Sequence, residues 1–267
     1  MESKFDYDIA WIMQAYLGEY PGSREDSDKK FIRAVKSFLA VHKLDPRTQL
    51  IIVSDGCEIT HEIYHDKFAK YDCIEYAYVS KAKKKMYEQR KDGATFYRSL
   101  PRQVGRTIAN RSFLHAFMDS DDLLLPDAAR IIKNHWGTIQ KQDPHKEYKW
   151  AACSEWYENE AMVKWQANAK GNFVFKDTAK PEKIKGLRSK WVRYAMNEPY
   201  KNVLSSTWNI IHRWDCKTIW ADMYSNRKKG EPSEDVVYCT NIRREGDGMI
   251  INDAIMVRCH YSGIWDY

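Results

Sequence analysis

The apolar run Phe113-Leu114-His115-Ala116-Phe117-Met118 passes directly into Asp119-Ser120-Asp121-Asp122, which is followed by Leu123-Leu124-Leu125-Pro126. A short apolar run bounded by polar residues reads as a buried strand. In open α/β sheets the carboxyl ends of such strands face the crevice where ligands bind, so this strand aims three carboxylates at that crevice. Like charges crowded together repel one another. A divalent cation such as Mg²⁺ or Mn²⁺ relieves the repulsion, and Mg²⁺ typically takes one or two protein carboxylates together with phosphate oxygens of a substrate. The stretch therefore points to a cation and a phosphate-bearing ligand. A plainer reading makes the acids part of a helix-capping turn, because Pro126-Asp127 suits the start of the amphipathic segment Ala128-Ala129-Arg130-Ile131-Ile132.

Upstream, strand and helix signals alternate. Ile9 to Met13 reads as a first strand, and the polar, glycine-containing stretch Leu17 to Asp26 as a loop. Ser27 has a hydroxyl able to cap a helix over which Phe31, Val35, Phe38 and Leu39 recur at helical spacing, and Asp45-Pro46 ends it. Leu50-Ile51-Ile52-Val53 is continuously apolar, as expected of a strand covered on both faces, with Ser54-Asp55-Gly56 turning the chain at its end. Ile74 to Val79 makes a third strand, and a short helix is expected over Val104 to Asn110. This alternation predicts an α/β fold with a mostly parallel central sheet and right-handed crossovers.

The chain has 267 residues, 43% of them hydrophobic, enough for a substantial core in one large domain or two small ones. Its apolar runs fall short of the ~20 residues of a membrane span. The start Met1-Glu2-Ser3-Lys4 lacks the basic-then-apolar order of a signal peptide, and the expectation is a soluble, cytoplasmic protein. Six scattered cysteines form no Cys-x-x-Cys pair and read as reduced core thiols. The formal net charge is +6, and the cations cluster at Lys81 to Lys91, at Lys180 to Arg193 and at Arg227-Lys228-Lys229. Such runs form solvated faces or attract an anionic ligand. Ten tryptophans, most beyond residue 135, offer core filling or flat faces for stacking on sugars and bases.

Taken in order, Leu50-Ile51-Ile52-Val53-Ser54-Asp55-Gly56, Pro101-Arg102-Gln103-Val104-Gly105 and Phe117-Met118-Asp119-Ser120-Asp121-Asp122 resemble the nucleotide-sugar domain of family 2 glycosyltransferases, over roughly residues 8 to 135. The resemblance implies the GT-A fold, with residues 1–135 as the donor half and 136–267 as the acceptor and catalytic-base half of one domain. It implies a D-x-D motif in which Asp121 binds Mn²⁺ or Mg²⁺, Asp119 lies near the ribose or sugar and Asp122 is a further metal ligand, with Ser120 between them at the donor. Arg102 would contact the donor diphosphate, with Arg106 in reserve; Ala15 and Tyr16 would meet the nucleobase, and Asp55 would recognise it. The surroundings depart from the family wording, reading Gln14-Ala15-Tyr16-Leu17 and Ser54-Asp55-Gly56-Cys57. Ser233-Glu234-Asp235 is similar to the E-D dipeptide of inverting members, making Asp235 the general base toward the acceptor hydroxyl. An acid at a helix N-terminus also suits the macrodipole. In Cys259-His260, the histidine matches a C-terminal metal ligand of some GT-A enzymes, or is an ordinary structural residue.

The function implied is metal-dependent, inverting transfer of one sugar from a nucleotide-sugar donor, in the first place a UDP-sugar, to a glycan or other hydroxyl acceptor. Residues 150 to 230 are then expected to shape the acceptor side, with Trp156, Trp208, Trp214 and Trp220 as stacking faces. Ser206 to Ile211 reads as a strand, Arg213 to Trp220 as a helix, and 164 to 193 as a lid-like loop pinned by Trp165. Alternatives stay open. The basic clusters leave room for DNA carrying a hydroxylated base as the acceptor. Paired acids with Mg²⁺ also serve nucleotidyl transfer, and a non-catalytic carbohydrate-binding module of the same fold would need neither metal nor base. A calcium loop is disfavoured, because Leu124 stands where its sixth position needs glycine.

Overall fold

The computed structural model describes residues 4–18, 26–80, 99–159, 182–183, 190–195, 209–220 and 234–259. In chain order the elements are β1 (Tyr7–Ala15), α1 (Ser27–Leu44), β2 (Thr48–Ser54), α2 (Glu58–Lys67), β3 (Ile74–Tyr78), α3 (Ser99–Ile108), β4 (Ser112–Asp119), β5 (Leu123–Leu124), α4 (Ala128–Gln142), β6 (Tyr148–Asn159), β7 (Glu182–Lys183), β8 (Lys190–Ala195), β9 (Ile210–Arg213), α5 (Glu234–Arg243) and β10 (Asp247–Arg258). The strands join one sheet in the order β3-β2-β1-β4-β9-β6-β10-β5, with β8 against β6 and β7 against β8. From β3 to β4 every neighbour is parallel. Then β9 runs antiparallel to both β4 and β6, and β10 returns parallel to β6.

Side-chain alternation explains why β1, β2 and β4 are continuously apolar. Ile9, Trp11 and Met13, Leu50 and Ile52, and Leu114, Ala116 and Met118 enter one core, which Phe31, Val35 and Phe38 of α1 and Ile132 and Trp136 of α4 complete. Ala10, Ile12, Ile51, Val53 and Phe117 point the other way, into a second core with Leu100 of α3 and Tyr238 and Ile242 of α5. Both faces are covered, which is why these strands read as nearly continuous apolar runs. α3 lies unusually close to the sheet: a Cβ on Gly105 would sit 2.4 Å from Cγ2 of Ile12. Glycine there lets the helix that carries Arg102 approach β1 and β2 closely.

Several expectations need correction. The start of α1 is not capped by Ser27; Asp26 precedes the helix in the left-handed region at φ 53°, without a side-chain cap, and the Ser27 hydroxyl donates to the Leu17 carbonyl. Residues 214–220 form a turn and irregular chain where a helix was expected, because the Lys217 and Thr218 amides bond to the Glu245 carboxylate and the Trp220 amide to Oε1 of Gln103. The expected strand at 206–211 is realised as β9, of which 206–208 lie outside the described residues. Within the 164–193 stretch expected to be a loop, β7 and the start of β8 are strands, and the remainder lies outside the described residues. All six cysteines are buried, free thiols. Among the described residues no helix is long and apolar enough to cross a membrane.

Candidate functional site

The in-register ends of the parallel strands build the site. Ala15 of β1 pairs with Ser54 of β2, and Gln14 pairs with Asp119 of β4, so Ala15, Asp55 and Asp119 share one edge, as ligand-binding residues of open α/β sheets do. Asp55 is fixed there by its own amide, which donates to the Ala15 carbonyl at 2.9 Å, and by Gln14, whose Nε2 donates to Oδ2 at 3.2 Å. Gly56 follows at φ 67°, a left-handed conformation open to glycine at little cost. Ala15 is fully buried and can offer a ligand only its backbone, whereas Tyr16 is half-buried against the core.

Beyond β4 the chain turns through Ser120 and Asp121 into β5. One oxygen each from Asp119, Asp121 and Asp122 lies within 4.8 Å of the others, the one such acidic, histidine or cysteine group among the described residues. Asp119 is half-buried; Asp121 and Asp122 are buried. Asp122 has a structural duty as well, because its Oδ1 accepts the Cys259 amide at 2.8 Å and so ties the end of β10 to the acidic turn. α4 starts after Asp127, whose side chain makes no cap hydrogen bond. Three hard oxygen donors suit Mg²⁺ or Mn²⁺. His260 lies outside the described residues.

Arg102 draws a distant acid into the same place. Its Nη1 donates to Oδ1 of Asp235 at 2.9 Å while Nη2 lies 3.6 Å from Oδ1 of Asp119. α3, β4 and the first turn of α5 are thereby joined through one guanidinium, which also sits 5.0 Å over the Trp220 ring. Arg106, one turn on, points inward and donates to the Cys216 carbonyl; the structure does not bring it to the acids. Of the proposed stacking faces, Trp156 and Trp220 are buried, Trp214 is partly exposed against Phe5 near the opposite end of the sheet, and Trp208 and Trp165 lie outside the described residues. The same applies to the basic stretches 81–91 and 227–229.

Beneath the site lies a buried polar pair. His115 and His212 face each other across β4 and β9. His212 donates from Nδ1 to the Arg213 carbonyl at 2.9 Å, so its Nε2 accepts the Tyr238 hydroxyl at 2.8 Å; His115 Nε2 donates to the Ala109 carbonyl. Burial, followed by the nearby Arg106 charge, pushes His115 down to about 4 and His212 well below the usual imidazole value. Both are neutral in the folded protein. Since the unfolded chain takes up protons at about pH 6.5 and the folded one does not, stability is complete above that pH and is lost as pH falls toward 4, His115 alone withdrawing about 3 kcal/mol. Melting curves from pH 7 to 4.5 should show this fall, and His115→Gln should make it shallower. An equally steep fall in the variant would remove His115 as its source.

A concavity of about 770 Å³ lies away from these acids, lined by Phe113, Trp136, Gly137 and neighbours. Phe113 stands at the start of β4, six residues from Asp119, so this cavity is at the other edge of the sheet. Its Lys133 and Arg213 are already paired with Asp8, Asp45, Glu147 and Asp215.

No family model and no curated protein matches the chain. Solved structures do. S. aureus TarS 1-349 in complex with UDP-GlcNAc superposes with a TM-score of 0.56 at 15% identity over 96% of this chain, and the same fragment with UDP gives 0.52 at 16% over 94%. This chain covers 60% of that fragment, and 36% of a longer S. aureus TarS structure matched at a TM-score of 0.51. At such identity the likeness shows the fold: a mixed, largely parallel α/β sheet flanked by helices, consistent with the GT-A type.

Proposed function

We propose that this chain is a nucleotide-sugar glycosyltransferase that moves one sugar, with inversion, from a UDP-sugar to a hydroxyl acceptor in the presence of Mn²⁺ or Mg²⁺. The observation that carries the reading is the meeting of Asp119, Asp121 and Asp122 with Asp235 through Arg102, at the strand ends where such sheets hold ligands. The crystallised complexes of TarS with UDP-GlcNAc and with UDP support the choice of donor class.

In this reading Asp121 and Asp119 hold the cation, with the second oxygen of Asp122 as a further donor and His260 a fourth candidate. When bound, the cation supplies Lewis-acid stabilisation of the negative charge that grows on the departing diphosphate. Arg102 adds a cation on the same side and keeps Asp119 and Asp235 from repelling each other. Gln14 and Asp55 offer an amide and a carboxylate for the nucleobase, beside the Ala15 backbone and Tyr16. Asp235 takes the proton from the acceptor hydroxyl as the new bond forms, since an alcohol is a poor nucleophile at neutral pH. One carboxylate acting on the acceptor and none forming a covalent sugar intermediate corresponds to a single displacement, hence inversion.

The test uses the purified protein with UDP-GlcNAc as first probe and other nucleotide sugars as a panel, with and without Mn²⁺. A donor at about a hundred times its Kd should raise the melting temperature by roughly 5–10 °C, and only with the metal. Release of UDP with sugar transfer supports the reading. Release of pyrophosphate would replace it with nucleotidyl transfer, and glycan binding indifferent to EDTA would replace it with a non-catalytic module.

A further inference from the structure

We infer that Trp220 is a positioning residue that holds Arg102 on Asp235, and through it fixes where the base stands. The inference rests on the role proposed for Asp235. Three elements carry the chemistry, and the fully buried Trp220 indole touches all of them. It lies under the Arg102 guanidinium of α3, ring centroid 5.0 Å from Cζ, and its amide is held by Gln103 of the same helix. It stacks on Tyr238 of α5, centroids 4.0 Å apart at 10°, one turn beyond Asp235. It meets Phe117, two residues before Asp119 on β4, edge-on at 5.5 Å.

The column has a fixed base. Tyr238 cannot slide, because its hydroxyl is bonded to His212 at 2.8 Å and Phe117 packs edge-on against its ring. A guanidinium over an indole face is attracted by the ring quadrupole, more strongly when water is excluded, and the Arg102 side chain is only 13% exposed. The ring therefore seats the guanidinium where Nη1 reaches Asp235 and Nη2 lies near Asp119. An aliphatic side chain in place of Trp220 would leave that seat undefined, and displacement of a reacting group by about 1 Å can cost a hundredfold in rate.

The experiment combines two readouts on the full chain. In the first, melting temperatures are measured for Arg102→Ala, Asp235→Ala and the double variant, in the unaltered and the Trp220→Leu backgrounds. With Trp220 present the two losses should fail to add by about 2 °C or more, the signature of coupled side chains; with leucine they should add. Trp220→Phe, which keeps a ring and leaves a smaller void, is run in parallel and should retain part of the coupling. In the second, UDP release from UDP-GlcNAc with Mn²⁺ should show kcat reduced about 10- to 100-fold in Trp220→Leu, with KM changed less than about threefold and partial recovery in Trp220→Phe. Adding Trp220→Leu to Arg102→Ala should slow it no further. Coupling that persists without the indole, or rate losses that multiply, would overturn the inference. No UDP release from the unaltered protein, with the stability coupling present and indole-dependent, would overturn the proposed function and leave the positioning of Arg102 standing.

Discussion

Replacing Asp121 with alanine should abolish the Mn²⁺-dependent rise in melting temperature produced by UDP and lower sugar transfer from UDP-GlcNAc by about a thousandfold or more. Metal stabilisation of a developing oxyanion is worth several kcal/mol, and each 1.36 kcal/mol of barrier is about a factor of ten. Asp121 is buried within 4.8 Å of two other carboxylates, so deleting it relieves their mutual repulsion, and the Mn²⁺-dependent rise is read against each protein's own ligand-free melting temperature. Asp122→Ala provides the contrast. That carboxylate accepts the buried Cys259 amide, and stranding a buried donor costs about 1–3 kcal/mol, so Asp122→Ala should melt lower with no ligand present. Retained Mn²⁺-dependent stabilisation in Asp121→Ala would remove the metal site from these residues.

The sequence was most legible where one physical demand ruled. β1, β2 and β4 are covered on both faces, so their continuous apolar runs announce strands, and the acids that end β4 stand out against them. Residue spacing also foretold α1, whose Phe31, Val35 and Phe38 line one core. α2 escaped notice because only Thr60 and Tyr64 of its ten residues are buried, too few to impose a helical period. Residues 213–220 misled in the opposite sense. Their pattern suits a helix, but their amides are taken by Glu245 and Gln103, residues distant in sequence. Asp235 and Arg102 were each found from a motif, yet they are separated by 133 positions and nothing local reveals that they touch. Trp220 stood out only as a stacking face for the acceptor; in the structure it is fully buried, with its ring against Arg102 and Tyr238, contacts that no local pattern reveals. Gln14 was visible only as a departure from the expected wording, and the structure gives that departure a partner in Asp55.

Asp235→Asn should separate the two duties an acid can have at the start of α5. The amide is nearly isosteric, and its oxygen can still accept from Nη1 of Arg102, now at 2.9 Å from the carboxylate. If Asp235 only complements the helix macrodipole, losing its charge costs about 0.3–1 kcal/mol of stability and leaves turnover within about threefold. As general base it does something asparagine cannot, which is to accept a proton, and removal of such a group lowers kcat by about 10²–10⁴. The donor contacts assigned above come from other residues, so KM for UDP-GlcNAc should stay within about threefold and the Mn²⁺-dependent thermal shift should survive. Arg102→Ala is the informative companion: it keeps the base but frees it from the guanidinium, so its kcat should fall less than that of Asp235→Asn while its donor affinity falls more. An asparagine variant that transfers sugar at the normal rate would leave Asp235 as a structural acid and require another base.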